Sequence, residues 1–279
     1  MIDVDFMKLK KILLFLVLMV PFVVHAGELN ITNFSAGCSL LESNENYLMM
    51  DNCILNNSFM SYLEKKHVGS IDVYMSSYEE RYSAKANYNS NRRMTKDGDD
   101  IPKGVFKIKI NKIYVPDVSG VKKYLNDDFK DKNEEAWDVL NNIYEHYSLI
   151  KTFGDDNKID VIELKKDDSF KVGDANVLII EPVKDFAINE DEDGSISDFV
   201  GDFSLVSLVS IDNTKYLLSN YLTDNVASAF LTKNANLKID MIAIDLDMID
   251  SCESIEFIKS FKSLNIYLGL LAVQLKVDY

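Results

Sequence analysis

The sequence predicts a single α/β domain in which two β-sheets pack face to face between helices. Short runs in which apolar and polar residues alternate indicate strands, and apolar residues at helical spacing follow several of these runs. The order of strands, helix and strand occurs twice along the chain, which is typical of two similar halves. With 279 residues, of which 47% are hydrophobic, the chain is long enough to bury the core of such a domain.

The N-terminal segment has the parts of an export signal. Three lysines form a basic start, a continuous apolar run follows, and Val24-His25-Ala26 is typical of a cleavage site. We therefore expect a signal peptide over residues 1–26 and a mature periplasmic or secreted domain over residues 27–279. Retention of the segment as an uncleaved anchor is the alternative. No later run in the sequence is long and apolar enough to span a membrane.

The net charge argues against nucleic acid as a partner. The formal charge is −15, and loss of residues 1–26 removes three Lys and two Asp, which leaves −16. Phosphate binding requires clustered Lys and Arg, and Arg92-Arg93 is the main basic pair in the chain. We expect a protein or small-molecule partner instead.

The first half of the chain reads as an opening hairpin, a helix and a buried strand. Residues 30–51 contain short strands with a turn at residues 44–46. A helix capped by Asn57 or Ser58 ends near Gly69, and residues 71–75 form the buried strand that follows.

A polar loop is predicted over residues 83–103, and the elements after it are predicted from the same alternation and apolar spacing. The predicted strands are 105–117, 159–164, 169–182 (a hairpin turning near Gly173), 204–211, 215–219, 239–246 and 265–273. The predicted helices are 134–153, 224–233 and 254–263.

In this order the elements resemble the metallo-β-lactamase-like domain of the DNA-uptake channel protein ComEC and its relatives, over roughly Ile31 to Ala272. Residues 33–39 are similar to the family's Asp-Val-Gly-Gln-Gly-Asp-Ser, and residues 50–53 to its Ile-Asp-Ala-Gly. Residues 202–220 look like its Asn-x-Ser-Leu-Val strand pair. The resemblance implies a metallo-β-lactamase-like αββα four-layer sandwich.

The departures from the family lie at its metal ligands. Aligned on the preceding strand, the positions of His-x-His-x-Asp-His, of the bridging Asp and of the His-His pair are held here by Ser77, Glu79, Arg81, Tyr82, Asn220, Leu246 and Asp247. The resemblance therefore implies the fold without a working metal site, and a pseudoenzyme that acts by binding.

Counting ligands without the family leads to the same expectation. The chain has three His, of which His25 lies in the signal, and His67 and His146 lack the spacing of a zinc motif. We expect no zinc. The alternative is a divergent hydrolase with carboxylate ligands such as Glu79 and Asp247, although Arg81 would bring a positive charge to that site.

An acidic segment resembles a calcium-binding loop. Oxygen-bearing side chains alternate from Asn189 through Asp191 and Asp193 to Ser195, as in an EF-hand loop. Val200 stands where that loop needs a bidentate Glu. An acidic linker between the two halves is the competing interpretation.

The three cysteines, Cys38, Cys53 and Cys252, allow one disulfide and leave at least one thiol over. Cys38 and Cys53 each follow a strand of the same predicted hairpin, so a bond between them would cross the emptied site. Buried thiols are the alternative.

Overall fold

The structure is a computed structural model that describes residues 23–26, 29–35, 38–51, 53, 56–78, 108–181, 204–219, 239–244 and 265–268. The strands are β1 (Val23–Ala26), β2 (Leu29–Ser35), β3 (Cys38–Ser43), β4 (Asn46–Asp51), β5 (Ser70–Tyr74), β6 (Lys109–Pro116), β7 (Asp160–Leu164), β8 (Ser169–Val172), β9 (Ala175–Glu181), β10 (Val206–Ile211), β11 (Thr214–Ser219), β12 (Met241–Ile244) and β13 (Asn265–Leu268). The helices are α1 (Asn57–Lys65), α2 (Ser119–Lys122), α3 (Asp127–Lys132) and α4 (Glu134–Asn157).

The strands form two sheets. The first sheet has the order β1-β2-β3-β4-β5-β6-β7, antiparallel from β1 to β4 and parallel from β4 to β7. The second sheet has the order β13-β12-β11-β10-β9-β8, antiparallel from β8 to β11 and parallel from β11 to β13. The predicted class, mixed α/β with two sheets, is confirmed.

Two buried clusters show how the layers pack. The inner cluster joins the sheets, with Leu48 and Tyr74 from the first and Val209 and Tyr216 from the second. The outer cluster joins the other face of the first sheet to α1, α3 and α4. Residues 220–238 and 245–264, where the second helical layer is expected, lie outside the described residues. Three of the four expected layers are therefore described.

Helix α1 is stabilised by an N-terminal cap and by apolar residues at helical spacing. The Asn56 Oδ1 atom accepts hydrogen bonds from the N–H groups of Ser58 at 3.0 Å and Phe59 at 3.1 Å, which would otherwise lack partners. Phe59 and Leu63, four residues apart, are buried on one face. The helix ends before His67, whose φ is +55°.

Some elements differ from the sequence expectations. Helix α4 continues to Asn157, four residues beyond the predicted end, and α2 and α3 were not predicted. Residues 23–26, the end of the predicted signal, pair with β2 as the edge strand β1. Cleavage before Gly27 stays a prediction. No helix among the described residues is long and apolar enough to cross a membrane.

Candidate functional site

The candidate site is the edge at which strands β4 and β5 of the first sheet end, beside the start of β10 in the second. The carboxyl ends of neighbouring parallel strands lie at one edge of a sheet, and this edge is where α/β folds commonly bind ligands. Asp51 ends β4, and Ser76 follows β5. The Leu205 N–H donates to the Ser76 carbonyl oxygen at 2.7 Å, which fastens the second sheet to this edge.

Asp51 is the charged residue at the centre of the edge. Its side chain is only 1% exposed. Its Oδ1 atom accepts a hydrogen bond from the Ser76 N–H at 2.6 Å, and its Oδ2 atom accepts one from the Ser76 hydroxyl at 3.0 Å. Both carboxylate oxygens therefore have donors from one residue, as a buried carboxylate requires.

The backbone of Asp51 turns the chain out of β4. Its φ is +56°, in the left-handed region that Asp tolerates better than most residues. The Cys53 N–H donates to the Asp51 carbonyl oxygen at 3.2 Å, and the Asn56 N–H donates to the Cys53 carbonyl oxygen at 2.9 Å. This tight turn leads directly into α1.

A disulfide joins Cys38 and Cys53 beside that turn. The two Cα atoms are 4.7 Å apart, and Cys38 pairs with Asp51 across the β3–β4 ladder. Both cysteines are fully buried in the outer cluster, next to α1. The bond therefore connects the first residue of β3 to the segment between β4 and α1. It is the pairing that the sequence analysis favours.

A tyrosine links the sheets just inside the edge. The hydroxyls of Tyr74 and Ser207 share a buried hydrogen bond, 133 residues apart in sequence. Burial raises the pKa of Tyr74 far above its usual value, and the nearby Asp51 charge adds to the increase. The phenol is therefore neutral at physiological pH and serves as a hydrogen-bonding group.

Two further tyrosines line the continuation of the edge near β6 and β7. The Tyr78 hydroxyl donates to the Pro116 carbonyl oxygen at 2.7 Å, and the Tyr147 hydroxyl donates to Glu163 Oε1 at 2.5 Å. Burial is the largest cause of the raised pKa of both phenols, and Glu163 raises it further, by its charge at Tyr78 and by its hydrogen bond and charge at Tyr147. Such groups hold their protons near neutral pH, so they position neighbouring groups and are poor general bases.

Most positions predicted from the family's ligands lie outside the described residues. Ser77, which stands at the first His position, is described and fully buried. Outside the described residues lie Glu79, Arg81, Tyr82, Asn220, Leu246 and Asp247, together with the predicted calcium loop Asn189, Asp191, Asp193 and Ser195.

Of the positions that the resemblance assigns to metal ligands, Ser77 lies among the described residues. It offers a hydroxyl where the resembled family has an imidazole. Among the described residues, no three His, Cys, Asp or Glu side chains converge. His146 lies elsewhere, on α4, where its Nδ1 atom is buried without a hydrogen-bond partner.

Sequence reasoning missed the contacts that organise this edge. Nothing in the sequence connects Tyr74 to Ser207 or Leu205 to Ser76, because each pair joins distant parts of the chain. A usable signal exists for Asp51, because an Asp directly after a buried strand lies at the edge where the next parallel strand also ends.

No protein-family model and no curated protein matches the sequence. Among solved structures, the chain resembles CmlA, a diiron β-hydroxylase from Streptomyces venezuelae, with a TM-score of 0.51 and 12% identity over 91% of this chain and 48% of that chain. The E377D mutant of CmlA gives a TM-score of 0.53 and 9% identity over 90% of this chain and 47% of that chain. The chain thus spans about half the length of CmlA.

Another similar structure is the metallo-β-lactamase fold protein YhfI from Bacillus subtilis, with a TM-score of 0.43 and 11% identity over 86% of this chain and 81% of that chain. The described topology is mixed α/β with two sheets, and the structural neighbours of the chain include metallo-β-lactamase fold proteins. At these identities the likeness concerns the fold and does not extend to activity.

Proposed function

We propose that this chain is an exported protein of the metallo-β-lactamase fold that acts by binding and does not hydrolyse a substrate. The observation that carries the proposal is Ser77, which stands where the resembled family has the first His of its metal-binding motif and is fully buried. Catalytic zinc sites take imidazole, thiolate or carboxylate ligands from the protein, and a serine side chain supplies none of these.

The residue types at the family's other ligand positions support the same proposal. By the resemblance, Arg81 stands at an Asp position and brings a positive charge that a bound cation would disfavour. Leu246 stands at one position of the His-His pair and has no ligand atom.

The proposed binding role concerns a protein or small-molecule partner. The net charge of −15 makes nucleic acid a poor partner. The basic and apolar N-terminal segment, which is typical of an export signal, supports export, and a disulfide beside the site suits an oxidising compartment. N-terminal sequencing of the protein recovered after export is expected to begin at Gly27. An intact N-terminus in the membrane fraction would contradict cleavage.

A hydrolysis panel tests the proposal against its alternative. The exported, oxidised protein is assayed on phosphodiester and β-lactam substrates with added Zn²⁺, Mn²⁺ or Mg²⁺, beside a variant with Glu79→Gln and Asp247→Asn. We expect the same background rate from both proteins. Metal-dependent turnover that is lost in the variant would contradict the proposal and favour a divergent hydrolase with carboxylate ligands.

A further inference from the structure

The Cys38–Cys53 disulfide is enclosed by the elements that it connects. Neither cysteine has any exposed surface, and both belong to the buried cluster that contains Met49 of β4 and Leu63 of α1. Helix α1 covers the bond on the side away from the second sheet.

Thiol–disulfide exchange requires direct attack of a thiolate on a sulfur atom, so a fully enclosed bond cannot be reached from solvent. We propose that the bond forms before α1 docks, through a disulfide-type oxidant acting on the open chain, and that in the folded protein it is closed to dithiol reductants. The chain is then a substrate of a thiol–disulfide oxidoreductase during folding. This proposal goes beyond the proposed function; it shares with it the export to an oxidising compartment and does not depend on the absence of a metal or of hydrolysis.

Formation of the Cys38–Cys53 bond requires the oxidant's disulfide and no other reactant. One cysteine attacks the oxidant's disulfide as a thiolate and forms a mixed disulfide, releasing one oxidant sulfur as a thiol. The second cysteine then displaces the oxidant's remaining sulfur, and the Cys38–Cys53 bond forms. Two electrons and the two cysteine protons end on the oxidant, which leaves as a dithiol.

The segment that would have to open is tied to the start of α1. The Asn56 N–H donates to the Cys53 carbonyl oxygen at 2.9 Å, and the Asn56 side chain caps α1 through Ser58 and Phe59. The Phe59 ring also packs edge-on against Phe34 of β2, with ring centroids 5.3 Å apart. Exposing the sulfurs therefore requires release of this helix terminus.

Reduction kinetics of the full-length oxidised protein test the proposal. Dithiothreitol is added at several concentrations with and without urea below the unfolding transition, and free thiols at Cys38 and Cys53 are alkylated and counted by mass spectrometry. We expect a rate that reaches a plateau with dithiothreitol concentration and rises with urea, because opening limits the reaction. A rate proportional to dithiothreitol up to high concentration and insensitive to urea would overturn the proposal.

A pair of cap variants makes the test specific to α1. Asn56→Ala removes the cap next to the disulfide, and we expect reduction at low dithiothreitol to be about fivefold faster. Asn126→Ala removes the equivalent cap of α3, where Oδ1 accepts from the Phe129 N–H at 3.0 Å, and is expected to leave the rate unchanged. Equal rates for Asn56→Ala and the unchanged protein would also overturn the proposal. Neither result bears on metal binding or hydrolysis.

Discussion

At the scale of single residues, Asp51 explains why the candidate site is stable. Its carboxylate accepts two hydrogen bonds from Ser76 in a buried setting, where charged acceptors contribute more than neutral ones. The left-handed backbone at Asp51 aims the side chain at the end of β5. The residue is thus a structural cross-link between two strand ends.

We expect Asp51→Ala to lower the free energy of unfolding by roughly 2–4 kcal/mol, because the buried Ser76 N–H loses its acceptor. Asp117→Ala is a matched control, since Asp117 accepts from the N–H and hydroxyl of Ser119, both at 2.8 Å, at an exposed position. We expect Asp117→Ala to lower the free energy of unfolding by about 1 kcal/mol or less. Urea denaturation measures both, and equal losses would contradict the role given to Asp51.

At the scale of elements, the sheets meet where two hairpin turns touch. Gly173 lies in the turn between β8 and β9 with a φ of +57°, and a Cβ atom there would lie 2.1 Å from the Ser43 carbonyl oxygen. The Asp174 N–H donates to the Ser43 hydroxyl at 3.2 Å. The turn of the second sheet therefore packs directly on the β3–β4 hairpin.

We expect Gly173→Ala to destabilise the protein by roughly 2–4 kcal/mol, because it combines left-handed strain with a clash against backbone. Gly69→Ala is the comparison, since no atom lies within 4 Å of the added Cβ and φ is not in the left-handed region. Its effect should stay within about 1 kcal/mol. Thermal and urea unfolding distinguish the two, and a harmless Gly173→Ala would refute the close packing of these turns.

The sequence predicted those elements whose pattern is local. The β3–β4 hairpin and the position of α1 agree with expectation because alternation, turn residues and apolar spacing act over a few positions. The predicted cap, Asn57 or Ser58, is wrong by one or two positions, since Asn56 caps the helix. Helices α2 and α3, with four and six residues, are too short to show helical periodicity. Asp51 can be placed at the edge from the sequence, because it ends a predicted strand, but its bond to Ser76 depends on how β4 and β5 pair.

At the scale of the whole molecule, the disulfide restrains the unfolded chain. It closes a segment of 15 residues between Cys38 and Cys53. We expect the variant with Cys38→Ala and Cys53→Ala to lose about 3 kcal/mol of stability, the amount that loop closure of this length contributes. Adding reductant during denaturation of the unchanged protein should give the same loss. A difference below about 1 kcal/mol would show that the bond adds little.

Because several tyrosines are buried, we expect the free energy of unfolding to fall at alkaline pH. The pKa of Tyr78 and of Tyr74 is raised by burial, and that of Tyr114 is raised to about 12, by burial and then by the charge of Asp72. Below pH 10 these phenols are protonated in both folded and unfolded chains, so their effect on stability is constant. Above pH 10 only the unfolded chain releases the protons readily, and stability falls as pH rises through the folded pKa.

Each fully buried tyrosine should therefore lower the free energy of unfolding by about 1.4 kcal/mol per pH unit above about pH 10. Urea denaturation at pH 8, 9, 10 and 11 measures the slope, and Tyr78→Phe should make it shallower because that variant has one phenol fewer. A free energy of unfolding that stays level between pH 10 and 11 would refute this reading of the buried phenols.

The central proposal is that this chain combines the two-sheet fold with an edge, where β4 and β5 end, that holds no metal. Its most direct test is the metal content of the exported, oxidised protein after dialysis against trace zinc and manganese. The account predicts less than about a tenth of an equivalent of metal per chain. One or two tightly held equivalents would contradict it and would direct attention to Glu79 and Asp247.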